Sequence, residues 1–161
     1  MAIEAVKAYF EQHGRAKDIV EHAQSTATVQ EAAEALGVHP ARIAKTLSFK
    51  VNDEAILIVA AGDAKIDNSK YKSKFGTKAK MLTPDEVLAV TGHAVGGVCP
   101  FGLTSNVPVY LDHSLKRFTT VFPACGSSNS SIELNLEELE KYANALEWVE
   151  VSKDWDETLT Q

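Results

Sequence analysis

The sequence lacks the features that would place it among membrane, disulfide-rich or metal-binding proteins. Its 161 residues include only two cysteines, Cys99 and Cys125, and no run of Cys and His residues has the spacing of a metal site. No apolar run approaches the roughly 18 residues of a membrane helix, and Glu4, Lys7 and Glu11 interrupt any signal-peptide core. We therefore expect reduced thiols, no metal or other cofactor, and a cytoplasmic protein.

Familiar catalytic motifs are absent as well. There is no Gly-x-Ser-x-Gly nucleophile turn, no Gly-x-x-x-x-Gly-Lys-Ser/Thr phosphate loop and no conspicuous pair of carboxylates. The five histidines are scattered over predicted helix ends and loops, where capping or surface roles are usual. Cys99 is a candidate thiol nucleophile, but nothing near it in the sequence would lower its pKa, so a small apolar role is the simpler interpretation.

What is present is the composition of a globular domain. Apolar residues make up 45% of the chain and charged residues 24%, close to the averages for folded proteins. A chain of this length suffices for one domain with a real core. We predict a single domain over residues 1–152, followed by an acidic tail at residues 153–161 that frays.

Charge is distributed unevenly along the chain. Residues 133–161 contain nine acids and two lysines, a net charge of −7, whereas the rest is close to neutral. Within residues 65–80 the only acid is Asp67, and that segment carries a charge of +5. A solvated helix face explains such a run, yet it is also where phosphate contacts would be sought. The candidates for such contacts are Lys70, Lys72, Lys74, Lys78 and Lys80.

Periodicity and capping signals predict about five helices and about seven strands in mixed order. The predicted helices cover residues 3–13, 28–36, 67–75, 83–91 and 135–145. The predicted strands lie near residues 18–22, 44–51, 55–61, 80–82, 107–111, 119–124 and 131–134, with a candidate last strand at 148–151. This mixture indicates an α+β fold around a mixed, largely antiparallel sheet with surrounding helices.

Lys45 has an unusual position in the predicted strand 44–51. Leu47, Phe49 and Val51 share one face of that strand, and Lys45 falls on the same apolar face. A buried, unpaired ammonium is costly, so this lysine must extend to solvent, find a partner or sit in a wet pocket. A structural lysine at a strand end and a functional lysine both remain open.

The segment of residues 93–102 is rich in residues that serve backbone geometry, since four of the ten are Gly or Pro. A connecting turn is the plain interpretation. Glycines also allow exposed N–H groups to face an anion or a carbonyl oxygen. A second loop, residues 125–131, consists of small residues with many hydroxyls. Together with Lys45, these loops suit electrostatic stabilisation better than attack by a side-chain nucleophile.

These residues resemble the YbaK/EbsC-type aminoacyl-tRNA deacylase family. The similarity lies in Ala44-Lys45-Thr46-Leu47 after an Ala-rich helix, in the segment from Thr91 to Gly102, and in Gly126 leading into Ile132-Glu133-Leu134. It spans roughly residues 1–150, and its specific parts are the strand lysine and the Gly-x-x-x-Pro loop. The family clears mischarged tRNA, chiefly of the proline type, and includes relatives of the insertion domain of bacterial prolyl-tRNA synthetases. The implied fold is YbaK-like.

The resemblance implies hydrolysis of the aminoacyl ester of mischarged tRNA, with tRNA-Pro carrying Cys, Ala or another small amino acid as the expected substrate. Lys45 would hold the phosphate or ribose side of the terminal adenosine, and the main chain around Gly96 and Gly97 would bind the ester carbonyl. The implied substrate-binding residues are Val98, Cys99, Pro100, Gly126 and Ser127. The nucleophile would be water or, in cysteine-specific members, the substrate's own thiol, so a missing side-chain base does not count against an enzyme.

Two departures from the family pattern leave the removed amino acid open. Cys99 stands where relatives often have Ser or Pro, and Cys125-Gly126-Ser127 replaces Gly-Gly or Gly-His forms. The expected partner is the 3' aminoacyl end of tRNA, with prolyl-tRNA synthetase as a candidate second partner and no membrane. The oligomeric state is not readable from the sequence. The alternative function is a non-catalytic module that binds nucleotides or aminoacyl-tRNA and acts with a synthetase.

Overall fold

A six-stranded mixed sheet organises the fold, which a computed structural model describes for residues 2–160. The strands of the described chain are Val20–Glu21 (β1), Ile43–Val51 (β2), Glu54–Ala61 (β3), Lys65–Ile66 (β4), Val109–Asp112 (β5), Thr120–Pro123 (β6), Ser130–Ser131 (β7), Leu134–Asn135 (β8), Glu147–Val149 (β9) and Ser152–Lys153 (β10). The α-helices are Ala2–Glu11 (α1), Val29–Leu36 (α2), Asn68–Phe75 (α3), Pro84–Thr91 (α4) and Leu136–Tyr142 (α5). Short 3-10 helices form at Ala16–Asp18, Pro40–Arg42 and His113–Arg117.

The central sheet has the strand order β8-β6-β2-β3-β5-β9. The long hairpin of β2 and β3 is antiparallel, as is β6 with β8, whereas β2–β6, β3–β5 and β5–β9 are parallel. Two small antiparallel pairs, β1–β7 and β4–β10, lie outside it. The α+β class, the mixed sheet and the surrounding helices predicted from the sequence are confirmed. More strands form than the seven expected because five of them are only two residues long.

The β2–β3 hairpin lies at the centre of the sheet, and both faces of β3 are covered. Asn52 and Asp53 form its turn with positive φ angles of 49° and 69°, a conformation that these two residue types tolerate better than most. On one face of β3, Leu57 and Val59 join the main core, while on the other Ile58 packs with a smaller cluster around Tyr71. Each such buried aliphatic side chain contributes roughly 1.5–3 kcal/mol. The strand predicted at residues 55–61 is therefore buried on both faces, as is usual for a strand inside a sheet.

The helices begin where the sequence places their caps. Thr28 accepts a hydrogen bond from the Glu31 N–H at the start of α2. Full capping boxes start α4, between Thr83 and Glu86, and α5, which begins at Asn135. None of the helices within residues 2–160 is both long and apolar enough to cross a membrane.

Two expectations for local structure are not met. The strand expected at residues 80–82 is only an isolated bridge between Phe49 and Met81. The fraying expected for residues 153–161 is wrong for residues 153–160, because this segment packs onto the body of the domain. Trp155 donates from Nε1 to the Ser152 hydroxyl at 2.9 Å, and Arg117 Nη1 donates to the Asp156 carbonyl at 3.0 Å.

Candidate active site

A largely apolar cavity of about 260 Å³ opens beside the first half of β2. Its walls come from the start of α2, from β2, from the segment around Met81, from the loop that contains Gly96, and from β6 and β7. Hydroxyl groups of six serine and threonine residues interrupt the apolar surface. Among the lining residues, Lys45 is the only one with a charged side chain. A single cation in apolar surroundings exerts a stronger field than the same cation in water.

Lys45 is held in place by main-chain carbonyls just beyond the end of β3. Its Nζ donates to the Gly62 carbonyl at 3.3 Å and also to the Ala64 carbonyl. An ammonium has three N–H donors, so one remains for another acceptor. Burial lowers the pKa of Lys45, and the nearby Asp63 carboxylate opposes that shift. Asp63 itself is bound by both terminal nitrogens of Arg117, at 2.6 and 2.9 Å.

Two residues of the loop 93–102 line the cavity and have main-chain N–H groups with no hydrogen-bond partner in the described part of the chain. Gly96 and Val98 line the cavity, and no residue within 2–160 accepts a hydrogen bond from their main-chain nitrogens. Gly97 does not line it, and its N–H closes a turn by donating to the Ala94 carbonyl at 3.0 Å. The N–H groups of Gly96 and Val98 are therefore available to donate hydrogen bonds to the carbonyl oxygen of a ligand. Gly97 serves to pack the loop.

Gly97 packs directly against the second small-residue loop. A Cβ atom at Gly97 would lie 2.8 Å from main-chain atoms of Ser127 and 2.9 Å from those of Gly126. The two loops singled out in the sequence are thus brought together. Gly126 and Ser127 nevertheless line a neighbouring groove rather than the cavity that contains Lys45. Ser130 and Ser131 of β7 supply the hydroxyls on that side of the cavity.

Cys99 and Pro100 do not line the cavity, in contrast to the roles implied for them. Cys99 is fully buried, with Sγ 3.5 Å from His93 Nε2 and 3.6 Å from the Phe101 carbonyl. Burial raises the pKa of the Cys99 thiol to about 12. His93 Nε2 lies 2.8 Å from the same carbonyl and must carry a proton to bond with it, so it cannot remove one from the thiol. Pro100 lines a groove on another side of the domain.

We expect both cysteines to resist alkylation in the folded protein. Burial raises the pKa of the Cys125 thiol well above its usual value, as it does for Cys99, and only the thiolate reacts quickly. Iodoacetamide at pH 8 should leave both thiols unmodified until denaturant unfolds the chain, as mass spectrometry can follow. Rapid labelling of Cys99 in the native state with loss of activity would instead indicate a thiol enzyme.

The five candidate lysines of residues 70–80 fall into two groups. Lys70 donates to the Ser152 carbonyl at 3.1 Å, and Lys74 forms an ion pair with Glu147 at 2.5 Å. The other three are exposed and, within residues 2–160, have no ion-pair partner: Lys72, Lys78 and Lys80. Lys80 directly precedes Met81, which lines the cavity.

Several cavity residues are not recognisable from the sequence. Thr46 and Ser48 line the cavity from β2, and Val29 lines it from α2. The alternation of the strand predicts which faces they occupy, but nothing local indicates that an opening lies beside them. Within residues 2–160, no group of three or more His, Cys, Asp or Glu side chains is placed to hold a metal ion.

Residues 23–142 match the family model described as the aminoacyl-tRNA editing domain, and the chain belongs to this family. The uncharacterised protein YwhH of Bacillus subtilis strain 168 is 56% identical over 157 residues, which cover 97% of this chain and all of YwhH. A crystal structure of a protein proposed to be a trans-editing enzyme for prolyl-tRNA synthetase is 30% identical. It superposes with a TM-score of 0.85 and covers 94% of this chain and 97% of that one.

The similarity extends to one part of a much larger enzyme. The proline–tRNA ligase of Geobacillus sp. strain WCH70 is 31% identical over 108 residues, which are 66% of this chain but only 19% of the ligase. Two thirds of this chain therefore correspond to about a fifth of the length of that ligase. Its relation to the editing domain of prolyl-tRNA synthetases is thereby established.

Proposed function

We propose that the protein is a trans-editing deacylase that hydrolyses the aminoacyl ester of mischarged tRNA, with tRNA-Pro carrying Cys, Ala or another small amino acid as substrate. One observation carries this proposal: Lys45, with its ammonium group, lines the same apolar cavity as Gly96 and Val98, whose main-chain N–H groups are free. A cation and unpaired main-chain donors suit a substrate with a phosphate and an ester carbonyl side by side.

The chemistry needs little from side chains. Water adds to the ester carbonyl carbon, and the carbonyl oxygen takes on negative charge. The bond to the ribose oxygen then breaks, and that oxygen takes the proton that the added water gives up, which leaves free amino acid and uncharged tRNA. Main-chain N–H groups at Gly96 and Val98 would stabilise the charged oxygen, a contribution that typically accounts for a large share of such catalysis. Lys45 would hold the phosphate or ribose side of the terminal adenosine through its remaining N–H.

The volume and the lining of the cavity also restrict which amino acid the protein can remove from tRNA. Its volume of about 260 Å³ has to hold the substrate end, and none of the described residues that form its walls carries a carboxylate. A bulky or cationic side chain would therefore bind poorly, because the first would clash and the second would lose hydration without a partner. Small uncharged side chains fit these walls best.

A panel of mischarged tRNAs tests the proposed function. Purified protein is incubated with tRNA-Pro carrying Cys, Ala, Ser or Pro and with tRNA-Ala carrying Ala, and ester loss is followed over time. We expect hydrolysis of one or more small-residue esters on tRNA-Pro and slower hydrolysis of Pro-tRNA-Pro. A rate no faster than the spontaneous one for the whole panel would contradict a deacylase.

The competing function is a binding module that acts with a synthetase. One observation favours it, namely that among residues 2–160 no histidine or carboxylate lines the cavity to accept a proton from water. A panel without hydrolysis in which tRNA raises the melting temperature of the protein would support this alternative. The two functions are thus separated by one set of reactions and one melting experiment.

Salt dependence should separate the two groups of lysines. Replacing Lys78 and Lys80 by Ala should flatten the slope of log affinity for tRNA against log salt by about 1.5, since each phosphate contact contributes 0.7–0.9. The matched control replaces Lys70 and Lys74, which already bind a carbonyl and a carboxylate of the domain, and should change the slope less. Fluorescence anisotropy at several salt concentrations measures both. Affinity that is independent of salt would refute lysine–phosphate contact.

A further inference from the structure

The edge of β2 that faces away from β3 is open in its middle. Pairing with β6 ends at Ala44, opposite Pro123. The next strand-like contact on that side begins at Phe49, opposite Met81. The cavity occupies the gap, and its lining includes five consecutive residues of the strand, 44–48. A ligand in the cavity would therefore contact a part of the strand edge that pairs with no other strand.

Alternation along β2 determines which main-chain groups face this gap. The Ser48 carbonyl accepts from the Leu82 N–H at 3.1 Å, and the Lys50 N–H donates to the Lys80 carbonyl at 2.8 Å. Even-numbered residues therefore direct both of their main-chain groups away from β3. The N–H and C=O of Thr46 and the N–H of Ser48 consequently face the cavity. In the described part of the chain, none of these three groups has a hydrogen-bond partner on that side.

The side chain of Thr46 adds a fourth unsatisfied polar group. Its Oγ1 is buried and has no hydrogen-bond partner within residues 2–160. Main-chain polar groups in proteins are almost always paired, and an apolar wall offers them nothing. A ligand that brings a matching donor and acceptor to this edge would bind more tightly than one that covers it with carbon.

We propose that the Thr46 carbonyl and the Ser48 N–H bind the Watson–Crick edge of the terminal adenine of the substrate. This inference rests on the proposed function, which supplies an adenosine at the reacting end. On one side of a strand, a C=O and the N–H two residues later point in the same direction. Adenine presents its N6 amino donor beside its N1 acceptor, which is the complementary arrangement. Bases at single-stranded RNA ends are commonly read along this edge.

Two features favour the base over the aminoacyl group as the occupant of this edge. The α-ammonium of an aminoacyl ester offers donors only, so it would satisfy the Thr46 carbonyl and leave the Ser48 N–H unpaired. The ester carbonyl is better matched to the free N–H groups of Gly96 and Val98 across the cavity. Lys45 lines the same cavity as Thr46, so its remaining N–H would serve the ribose or phosphate of the same nucleotide.

Substrates with altered terminal bases test the contact atom by atom. A terminal 1-deazaadenosine lacks the N1 acceptor, and a terminal purine riboside lacks the N6 donor. With the unaltered protein, we expect each to lower both tRNA affinity and kcat/KM about fivefold to tenfold, which corresponds to the loss of one hydrogen bond. A terminal inosine, which reverses both donor and acceptor, should lower them further.

A proline substitution in the protein tests the Ser48 N–H and complements the altered terminal bases. Ser48→Pro removes the N–H that faces the cavity, and proline is tolerated at a strand position whose N–H points away from the ladder. The variant should bind and hydrolyse the adenosine-ended substrate less well and no longer respond to 1-deazaadenosine, yet still respond to the purine riboside. Ser48→Ala keeps the N–H and should keep the response to 1-deazaadenosine. Circular dichroism verifies that both variants fold.

The outcomes separate this inference from the deacylase proposal. Equal affinity and equal rates for all terminal bases would overturn the adenine contact even if hydrolysis proceeds. If no ester is hydrolysed, the affinities of uncharged tRNAs with the same terminal bases still decide the contact. Should Ser48→Pro fail to fold, the series of altered bases with the unaltered protein decides it. If affinity and rate fall on removal of the α-amine but respond to neither altered base, the aminoacyl group lies at this edge, and the inference is wrong.

Discussion

Replacement of Lys45 by methionine is expected to lower kcat/KM for deacylation about 100-fold to 1,000-fold, the range seen when one preorganised electrostatic group is removed from an active site. Methionine keeps a stem of similar length and removes the only charged side chain among the described residues that line the cavity. The chain should remain folded because burial already disfavours the charge, as the lowered pKa of Lys45 indicates. Initial rates on a mischarged tRNA and a thermal melt measure the two effects.

Lys50 provides the matched control for this substitution. It lies on the same strand, forms an ion pair with Glu86 at 3.0 Å and does not line the cavity. Lys50→Met should keep nearly all activity and nearly all stability, because an exposed ion pair contributes little to folding. If the two variants lose activity equally, or if Lys45→Met stays active, the role proposed for Lys45 is wrong.

Gly97→Ala is expected to lower the free energy of unfolding by about 2–3 kcal/mol, in the range of overpacking in a tight interior. The added Cβ would meet main-chain atoms of Ser127 and Gly126 at 2.8–2.9 Å, and main chain cannot rotate away as a side chain can. The two loops must therefore separate, which also moves Gly96 and Val98 at the cavity wall. Deacylation should fall together with stability, as urea unfolding and initial rates will show.

Gly14→Ala is the control for this loop substitution. Gly14 has a φ of 69°, and a Cβ there would have no neighbour within 4 Å. The cost should be only that of a left-handed backbone conformation, about 1 kcal/mol, and activity should stay normal because Gly14 lies outside the cavity lining. A Gly97→Ala protein that unfolds at the same urea concentration as the unaltered one would show that the loops are not packed as described.

Features that depend on near neighbours in the chain could be predicted from the sequence. The caps of α2, α4 and α5 are formed by residues three apart, and the structure contains them. The position of Lys45 on the face that carries Phe49 follows from strand alternation. The sequence therefore predicted both the helix starts and the unusual lysine.

Features that depend on distant contacts could not be predicted in the same way. The carbonyl partners of Lys45 lie 17 and 19 residues away and are set by the hairpin register. Cys99 sits in a Gly- and Pro-rich loop, a composition typical of the surface, yet tertiary packing buries it completely. The open edge of β2 exists only because β6 diverges after Ala44, which no local pattern of β2 reveals.

Arg117 connects the last residues of the chain with the surroundings of Lys45. It binds Asp63, which lies between the two residues whose carbonyls hold Lys45, and it also binds the Asp156 carbonyl and lies over the Trp155 ring. Through Arg117 and Asp63, the segment of residues 153–160 thus supports the position of Lys45. A chain shortened after residue 152 would keep every described cavity-lining residue but lose this support, so the structural unit around the cavity extends beyond the residues that line it.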